Sequence, residues 1–169
     1  MKRLQRGFTL VEIMIVVAII ALLAAIAIPN VLRGRATANE SAAIGNVHAL
    51  VSSLEMFRAA TNVYPDDWLG DMVTNATPDY APASFAGANL NLQTGTPALQ
   101  GFNYDYNPAS GTTPATYNMT AVPSTLNSGS RSFFADDTGV VRHCSCPASG
   151  NCTAATVNAN TLDAPPNTC

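Results

Sequence analysis

Charged residues are scarce in this chain of 169 residues, and basic residues are scarcer than acidic ones. There are 8 bases against 11 acids, and Lys2, Arg3 and Arg6 all lie before Gly7. After Gly7, every Lys or Arg position is an arginine, and all 11 acids lie in this part of the chain. A nucleic-acid-binding surface needs a clustered basic patch, so the sequence does not indicate a partner of that class.

Residues typical of catalytic or metal sites are also few. Histidine occurs only at His48 and His143, and neither lies in a recognisable catalytic motif. The acids between Asp66 and Asp71 could contact calcium, but their spacing is not that of a known calcium loop, and an exposed turn is the simpler interpretation. We therefore expect no enzyme activity, no cofactor and no metal site.

Hydrophobic residues, in contrast, are abundant and concentrated near the N-terminus. Between Phe8 and Ile28 only Thr9 and Glu12 are polar. As a helix this run would be roughly 31 Å long, which matches the ~30 Å hydrocarbon core of a bilayer. Because the basic residues precede the run, the positive-inside rule places the N-terminus in the cytoplasm and the rest of the chain outside.

Two simple alternatives exist for this apolar run. A secretory signal peptide has an apolar region of about 7–15 residues, which is shorter than the run observed here. A plain single-pass anchor would gain nothing from Glu12, because a carboxylate inside the membrane is unfavourable. Glu12 should therefore have a compensating partner that neither alternative supplies.

The order of residues in this segment resembles the N-terminus of type IV prepilins and type II secretion pseudopilins. A short basic leader ends at Gly7, Phe-Thr-Leu-Val-Glu follows, and the apolar run closes at Ile28-Pro29. The resemblance implies that a prepilin peptidase cleaves between Gly7 and Phe8 and methylates the new amino group of Phe8. It also implies that Glu12 and Pro29 belong to the segment used in assembly.

A charge argument gives Glu12 a role in such a polymer. Cleavage creates a cationic amine on Phe8, and in a staggered bundle this amine can lie against Glu12 of a neighbouring subunit. Either charge alone in an apolar core is strongly unfavourable, whereas the pair is tolerated in one register. We therefore predict that Glu12 sets the register of assembly.

Beyond Pro29 the helix is predicted to continue, with a bend near the proline, until about Asn62. Its second half is amphipathic, with polar residues such as Glu40 and His48 mostly on other faces. The apolar stripe that a sheet could cover comprises Val47, Leu50, Val51, Leu54 and Phe57. Residues 66–100 are interpreted as a variable loop. Alternating segments predict strands at residues 101–106, 115–122, 131–135 and 140–143, the last two joined as a hairpin by residues 136–139.

Four cysteines, Cys144, Cys146, Cys152 and Cys169, lie near the end of the chain. A zinc site is the alternative to disulfides, but the spacing matches no common zinc pattern, and disulfides persist outside the cytoplasm. A bridge between Cys144 and Cys146 would be very strained, so each should pair with Cys152 or Cys169. The pairing Cys146 to Cys152 with Cys144 to Cys169 is marginally preferred, and either choice would staple the tail.

The predicted fold is α+β: a long N-terminal helix packed against a small antiparallel sheet, with a disulfide-stapled C-terminal tail. Its parts are a cleaved leader (1–7), a transmembrane and filament-core helix (8–29), an amphipathic head helix (30–62), and a loop, sheet and tail (63–169).

The resemblance implies a structural pilin subunit, held in the inner membrane with its head in the periplasm. An inner-membrane assembly platform would then polymerise it into an extracellular homopolymer. One alternative is a pseudopilin of a type II secretion system, although no acidic calcium-binding tail like that of major pseudopilins is visible. The other is a membrane-anchored extracytoplasmic binding domain, which predicts no cleavage at Gly7. Whether a filament would serve adhesion, motility, DNA uptake or secretion depends on its variable surface and accompanying machine.

Overall fold

The computed structural model describes residues 8–87, 90, 98–109, 114–125 and 127–145. The chain divides into two compact units, Met1–Arg35 and Ala36–Cys169. In chain order the described elements are helix α1 (Leu10–Thr61), a short π-helix (Gly70–Thr74) and strands β1 (Phe102–Pro108), β2 (Tyr117–Pro123), β3 (Arg131–Asp136) and β4 (Arg142–Ser145). The prediction of a long N-terminal helix followed by an antiparallel sheet is confirmed.

Helix α1 runs from Leu10 to Thr61 and includes Pro29, so the prediction that the helix continues past the proline is confirmed. The predicted bend at Pro29 stays a prediction. The helix ends where the sequence indicated, because Asn62 adopts a left-handed conformation with φ of 62°. Its backbone N–H donates to the carbonyl of Arg58 at 2.7 Å, a common way to close a helix C-terminus.

In the first unit, α1 presents large apolar side chains that the protein itself does not cover. The exposed large hydrophobic residues between Phe8 and Leu32 each have at least half of their surface accessible to solvent. Within the described part of the chain, α1 is the one helix long and apolar enough to cross a membrane. This surface needs either lipid or other protein chains to cover it.

The four strands form one antiparallel sheet in the order β1-β2-β3-β4. The register pairs Tyr104 with Ala121, Ala121 with Phe133, and Phe133 with His143. Consecutive strands are therefore neighbours throughout, and the first three predicted strands are confirmed apart from their ends.

The fourth strand was predicted two residues too early. It begins at Arg142 rather than at residue 140, because the turn after β3 is longer than the predicted residues 136–139. The Asp136 carboxylate accepts hydrogen bonds from the backbone N–H of Thr138 at 3.0 Å and from its hydroxyl, and Gly139 has a positive φ of 73°. These contacts hold residues 137–141 as a turn.

The main core of the second unit lies between α1 and one face of the sheet. All five residues of the predicted apolar stripe of α1 are buried, which confirms that prediction. They belong to one cluster with Tyr104, Tyr106, Met119 and Phe133 of the sheet. Asn46 of α1 donates a hydrogen bond of 2.9 Å to the Tyr104 hydroxyl at the margin of this contact.

The segment after α1 contributes more to the core than a variable loop would. Trp68, Met72, Phe85 and Leu90 are each at most 2% exposed and belong to the main cluster. The Trp68 ring lies 5.8 Å from the ring of Tyr106, measured between centroids. The interpretation of residues 66–100 as a loop missed this contribution because these apolar residues follow neither a helical nor a strand period.

Candidate processing and assembly site

The predicted cleavage position is the peptide bond between Gly7 and Phe8, and Gly7 lies outside the described residues. Phe8 itself is 85% exposed and precedes the first residue of α1 by two positions. Cleavage and methylation there stay predictions. The two residues that follow in the motif, Thr9 and Glu12, are described and contact each other.

Thr9 and Glu12 form a reciprocal cap at the start of α1. The backbone N–H of Thr9 donates to Glu12 Oε2 at 2.8 Å, and the Thr9 hydroxyl donates to the same oxygen at 2.7 Å. In return, Thr9 Oγ1 accepts the backbone N–H of Glu12 at 3.2 Å. This is a capping box, in which a residue before the helix and the third helical residue satisfy each other's backbone N–H.

The capping box gives Glu12 a local partner that the sequence interpretation missed. The signal was present, because Thr-x-x-Glu before an apolar run is the sequence signature of this motif. Both described bonds to the carboxylate use Oε2, which leaves Oε1 able to accept from a further donor. Glu12 is therefore held in place at the helix start while part of its carboxylate still faces outwards.

In the second unit, a different glutamate of α1 connects the helix to the sheet. Glu40 Oε1 accepts hydrogen bonds from the backbone N–H of Ser130 at 2.6 Å and from the Ser130 hydroxyl at 2.9 Å. Glu40 Oε2 accepts from Nε and Nη2 of Arg131, each at 2.8 Å. The carboxylate thus binds the first residue of β3 and the residue before it.

Glu40, which the sequence analysis grouped with the polar residues mostly outside the apolar stripe, is only 5% exposed. Burial by itself would raise the pKa of Glu40. The hydrogen bonds from Ser130 and Arg131, together with the Arg131 charge, outweigh burial and hold the pKa below its ordinary value. Glu40 is therefore a charged, fully bonded group at the join between helix and sheet.

Gly129 permits this close approach between β3 and the helix. A Cβ at this position would lie 2.7 Å from Cζ of Phe102 and 3.2 Å from Cγ of Glu40. No side chain fits at the shorter distance without a shift of the Phe102 ring. The absence of a side chain at Gly129 therefore allows Ser130 to reach the Glu40 carboxylate.

Near the C-terminal end of α1, Tyr64 connects the segment that follows the helix to side chains of the helix. The Tyr64 hydroxyl donates to Glu55 Oε1 at 2.7 Å and accepts from Nη1 of Arg58 at 2.8 Å. Its backbone N–H donates to the carbonyl of Pro114 at 3.0 Å. Burial, and then the bond to Glu55, raise the pKa of Tyr64 to about 12.

We expect the head to lose stability in alkaline solution before its buried tyrosines ionise in the folded state. Burial is the main cause that raises the pKa values of Tyr64, Tyr106 and Tyr117. The unfolded chain ionises these groups at about pH 10, so their contribution to stability is complete below that pH and declines above it. Unfolding free energy and tyrosinate absorbance of the detergent-solubilised chain should therefore change together. Ionisation of all tyrosines near pH 10 without unfolding would contradict this expectation.

The other residues singled out from the sequence do not form a site in the described residues. Asp71 Oδ2 accepts the backbone N–H groups of Asp66 and Asp67 at 2.9 and 3.1 Å, which is turn chemistry. His48 and His143 are exposed on α1 and β4. The described ranges contain no group of three or more His, Cys, Asp or Glu residues that could hold a metal.

Of the four cysteines, only Cys144 lies among the described residues, and it is not a free thiol. Cys146, Cys152 and Cys169 lie outside the described residues. The two predicted pairings and the stapling of the tail therefore stay predictions.

Comparisons with known proteins agree with the residues at the start of the chain. Residues 2–28 match the family model described as the prokaryotic N-terminal methylation motif. The chain is 36% identical over 87 residues to the type II secretion system core protein G of Dickeya chrysanthemi, an alignment that covers 50% of this chain and 57% of that protein.

Two type IV pilus proteins are also similar. The type IV wide pilus major component PilA4 of Thermus thermophilus is 36% identical over 91 residues, with 53% of this chain and 70% of that protein covered. The type IV major pilin protein PilA of Myxococcus xanthus is 49% identical over 62 residues, with 37% of this chain and 28% of that protein covered. No solved structure matches the chain.

The methylation motif, the exposed apolar start of α1 and the antiparallel sheet together define a pilin-like protein. The chain belongs to the family of type IV pilins and type II secretion pseudopilins.

Proposed function

We propose that this chain is the structural subunit of a type IV pilus-like filament. It is cleaved between Gly7 and Phe8, methylated on Phe8, and polymerised from the inner membrane by an assembly platform. One observation carries the proposal: Glu12 lies at the very start of α1, next to the cleavage position, and is followed by an exposed apolar helix surface. The matched methylation motif covers the same residues.

Before assembly, the apolar half of α1 spans the membrane and the head lies in the periplasm. In the membrane, the backbone N–H and the hydroxyl of Thr9 donate hydrogen bonds to the Glu12 carboxylate, whereas lipid tails supply no donors. Placing the acid at the end of the apolar run further limits the cost of burying it.

After cleavage, the Phe8 amine of one subunit binds Glu12 of its neighbour. The carboxylate keeps its cap through Oε2 and has Oε1 available for the incoming amine. The surrounding apolar side chains of the bundle exclude water, so an unmatched amine or carboxylate is strongly disfavoured. Subunits that add in the wrong register leave both charges unpaired, and the pair therefore selects the register.

The second candidate function is that of a pseudopilin in a type II secretion system. The similarity to core protein G of Dickeya chrysanthemi over half of this chain favours it. The two candidates share processing, membrane insertion and polymerisation, and they differ in where the filament ends and what it serves. Deletion of the gene separates them: a pilus subunit is required for surface filaments, and a pseudopilin is required for release of secreted proteins.

Mass spectrometry of the mature protein tests the proposal as a whole. We expect an N-terminus at Phe8 with one added methyl group on its amine, in protein purified from membranes and in protein sheared from the cell surface. Protein from a strain without prepilin peptidase serves as the control and should begin at Met1. A wild-type protein that also begins at Met1 would contradict the proposal and favour an anchored binding domain.

A further inference from the structure

Four buried aromatic side chains of the head form a continuous row of rings. The centroid of the Trp68 ring lies 5.8 Å from that of Tyr106, and the Tyr106 ring lies 6.0 Å from that of Tyr117. The row ends at Tyr64, whose ring centroid is 4.6 Å from that of Tyr117. All four residues are at most 3% exposed. These are the distances of aromatic rings in direct contact, so an electron can pass between neighbouring members. We call these four side chains the aromatic row.

The three tyrosine hydroxyl groups of the aromatic row have different partners. Tyr106 donates a hydrogen bond of 2.7 Å to the backbone carbonyl of Pro65, which is not basic enough to take up a proton. The buried Tyr117 hydroxyl has no hydrogen-bond partner within the described part of the chain. Tyr64 instead donates to Glu55 Oε1 at 2.7 Å, and a carboxylate can accept a proton as well as a hydrogen bond. Of these three hydroxyl groups, that of Tyr64 therefore contacts a base.

This difference decides which tyrosine of the row can be oxidised. A phenol that loses an electron becomes a very strong acid, and a ring that kept its proton would be an uncompensated cation in the core. A buried tyrosine is therefore oxidised readily only if its proton leaves at the same time. The 2.7 Å between the Tyr64 hydroxyl oxygen and Glu55 Oε1 lies within the range for direct proton transfer. Oxidation of the row therefore ends at Tyr64.

Arg58 completes the surroundings of the Tyr64 oxygen. Its Nη1 donates to this oxygen at 2.8 Å, and its guanidinium carbon lies 4.9 Å from the centroid of the Tyr64 ring. After a proton transfer, the carboxylic acid of Glu55 can donate back to the tyrosyl oxygen while Arg58 keeps its hydrogen bond. The oxidised tyrosine then has two hydrogen-bond donors without any movement of the neighbouring side chains.

The position of Tyr64 relative to solvent suits a stored radical. Glu55 is half-buried and Arg58 is exposed, so the group that takes up the proton stays within reach of water. Tyr64 itself is 1% exposed. Its ring therefore cannot meet a tyrosyl radical of another chain, which is the reaction that removes exposed tyrosyl radicals. Only an electron returned by a reductant restores it.

We propose that Tyr64 and Glu55 form a redox site at which one-electron oxidation of the aromatic row ends. A one-electron oxidant at the protein surface removes one electron from the row and is itself reduced. The O–H bond of Tyr64 breaks, its proton binds Glu55 Oε1, and Tyr64 remains as a neutral tyrosyl radical. A one-electron reductant later returns the electron, and the proton returns from Glu55. The site confines oxidation to one reversible position and spares the buried Trp68. The proposal does not depend on which filament the chain forms.

Transient absorption and electron paramagnetic resonance of the full chain in detergent test the proposal. The oxidant is tris(bipyridine)ruthenium(III), generated by a laser flash, and the measured quantity is the yield of long-lived tyrosyl radical. We expect Tyr64→Phe to lower this yield at least about tenfold, because the variant keeps the ring but has no proton to transfer. The matched control is Tyr117→Phe, which removes a hydroxyl that has no hydrogen-bond partner in the described residues and should keep most of the yield.

Glu55→Gln separates proton transfer from structure. A glutamine can accept the hydrogen bond of Tyr64 through its amide oxygen but cannot take up the proton. We expect the yield to fall at least about tenfold in this variant too, although Tyr64 is still present. A merely structural role of Glu55 would leave the yield unchanged. Fluorescence of Trp68, the only tryptophan of the chain, verifies before the flash that each variant is folded.

Three results would overturn the proposal. A wild-type yield of long-lived tyrosyl radical in Tyr64→Phe would place the oxidised group elsewhere. An unchanged yield in Glu55→Gln would mean that Glu55 does not take up the proton. The third is the absence of a tyrosyl radical in the wild-type chain, under a flash that oxidises N-acetyltyrosinamide in a parallel sample. If Tyr64→Phe does not fold, the comparison of Glu55→Gln with the wild type decides.

Discussion

Glu12→Gln is expected to stop filament assembly while cleavage after Gly7 and membrane insertion continue. A capping box accepts Glu or Gln at this position, so the variant keeps the start of α1 intact. In the proposed filament, it removes the negative charge that pairs with the Phe8 amine of the neighbouring subunit, so an unpaired amine would remain in the apolar bundle. We expect the assembled fraction to fall by on the order of 100-fold or more, as for other broken buried pairs.

The comparison with two further variants separates charge from capping. Glu12→Ala removes both and should assemble no better than Glu12→Gln. Thr9→Val removes the hydroxyl of the cap but keeps the carboxylate, and it should retain most of its assembly. Immunoblots of sheared filaments against whole cells measure assembly, and mass spectrometry of the membrane fraction verifies cleavage.

The charge-pair hypothesis makes one result decisive. If Glu12→Gln assembled like the wild type and Thr9→Val did not, Glu12 would act only as a helix cap. The proposed role in register would then be wrong, while the assignment to the pilin family would be unaffected.

Glu40→Ala is expected to destabilise the head by about 3 kcal/mol. The substitution leaves the Ser130 N–H and the Arg131 guanidinium without their shared acceptor at a site where the Glu40 side chain is 7% exposed. Because the Arg131 side chain is 38% exposed and can recover water, we place the effect at the lower end of the range for buried pairs. Trp68 is the only tryptophan and is fully buried, so its fluorescence reports denaturant unfolding of the full chain in detergent.

The sheet offers a matched control for this ion pair. Arg142 contacts Asp136 at 3.4 Å, with the arginine side chain 35% exposed. Arg142→Gln should therefore cost less than about 1 kcal/mol. Equal effects of Glu40→Ala and Arg142→Gln would mean that Glu40 does not connect the helix to the sheet in the way described.

The dependence on pH provides a second measurement of Glu40. Its pKa is lowered in the folded state, so the unfolded chain binds the proton first as the pH falls. The stabilisation is complete above the ordinary glutamate pKa of about 4.3 and is lost as the pH falls through the lower, folded value. This part of the acid dependence should be absent from Glu40→Gln.

Local patterns in the sequence were sufficient for α1 and, apart from their ends, for β1, β2 and β3. The apolar run of α1, its end at Asn62 and the stripe from Val47 to Phe57 are encoded by neighbouring residues, because helical periodicity repeats within a few positions. The alternation in β1, β2 and β3 is local in the same sense. The capping box of Thr9 and Glu12 is also encoded locally, because its two residues lie three positions apart.

Contacts between distant parts of the chain were decided only by the tertiary structure. The burial of Glu40 was not predicted, because its partners, Ser130 and Arg131, follow 90 and 91 positions later. Trp68 and Phe85 have no periodic neighbours, and their place in the core depends on Tyr106 and Tyr104 of β1. The sequence by itself thus determined that this protein has an apolar helix with one acid at its start, followed along the chain by an antiparallel sheet. The arrangement of the head required the folded chain, because the burial and charge of a residue depend on partners that no local pattern contains.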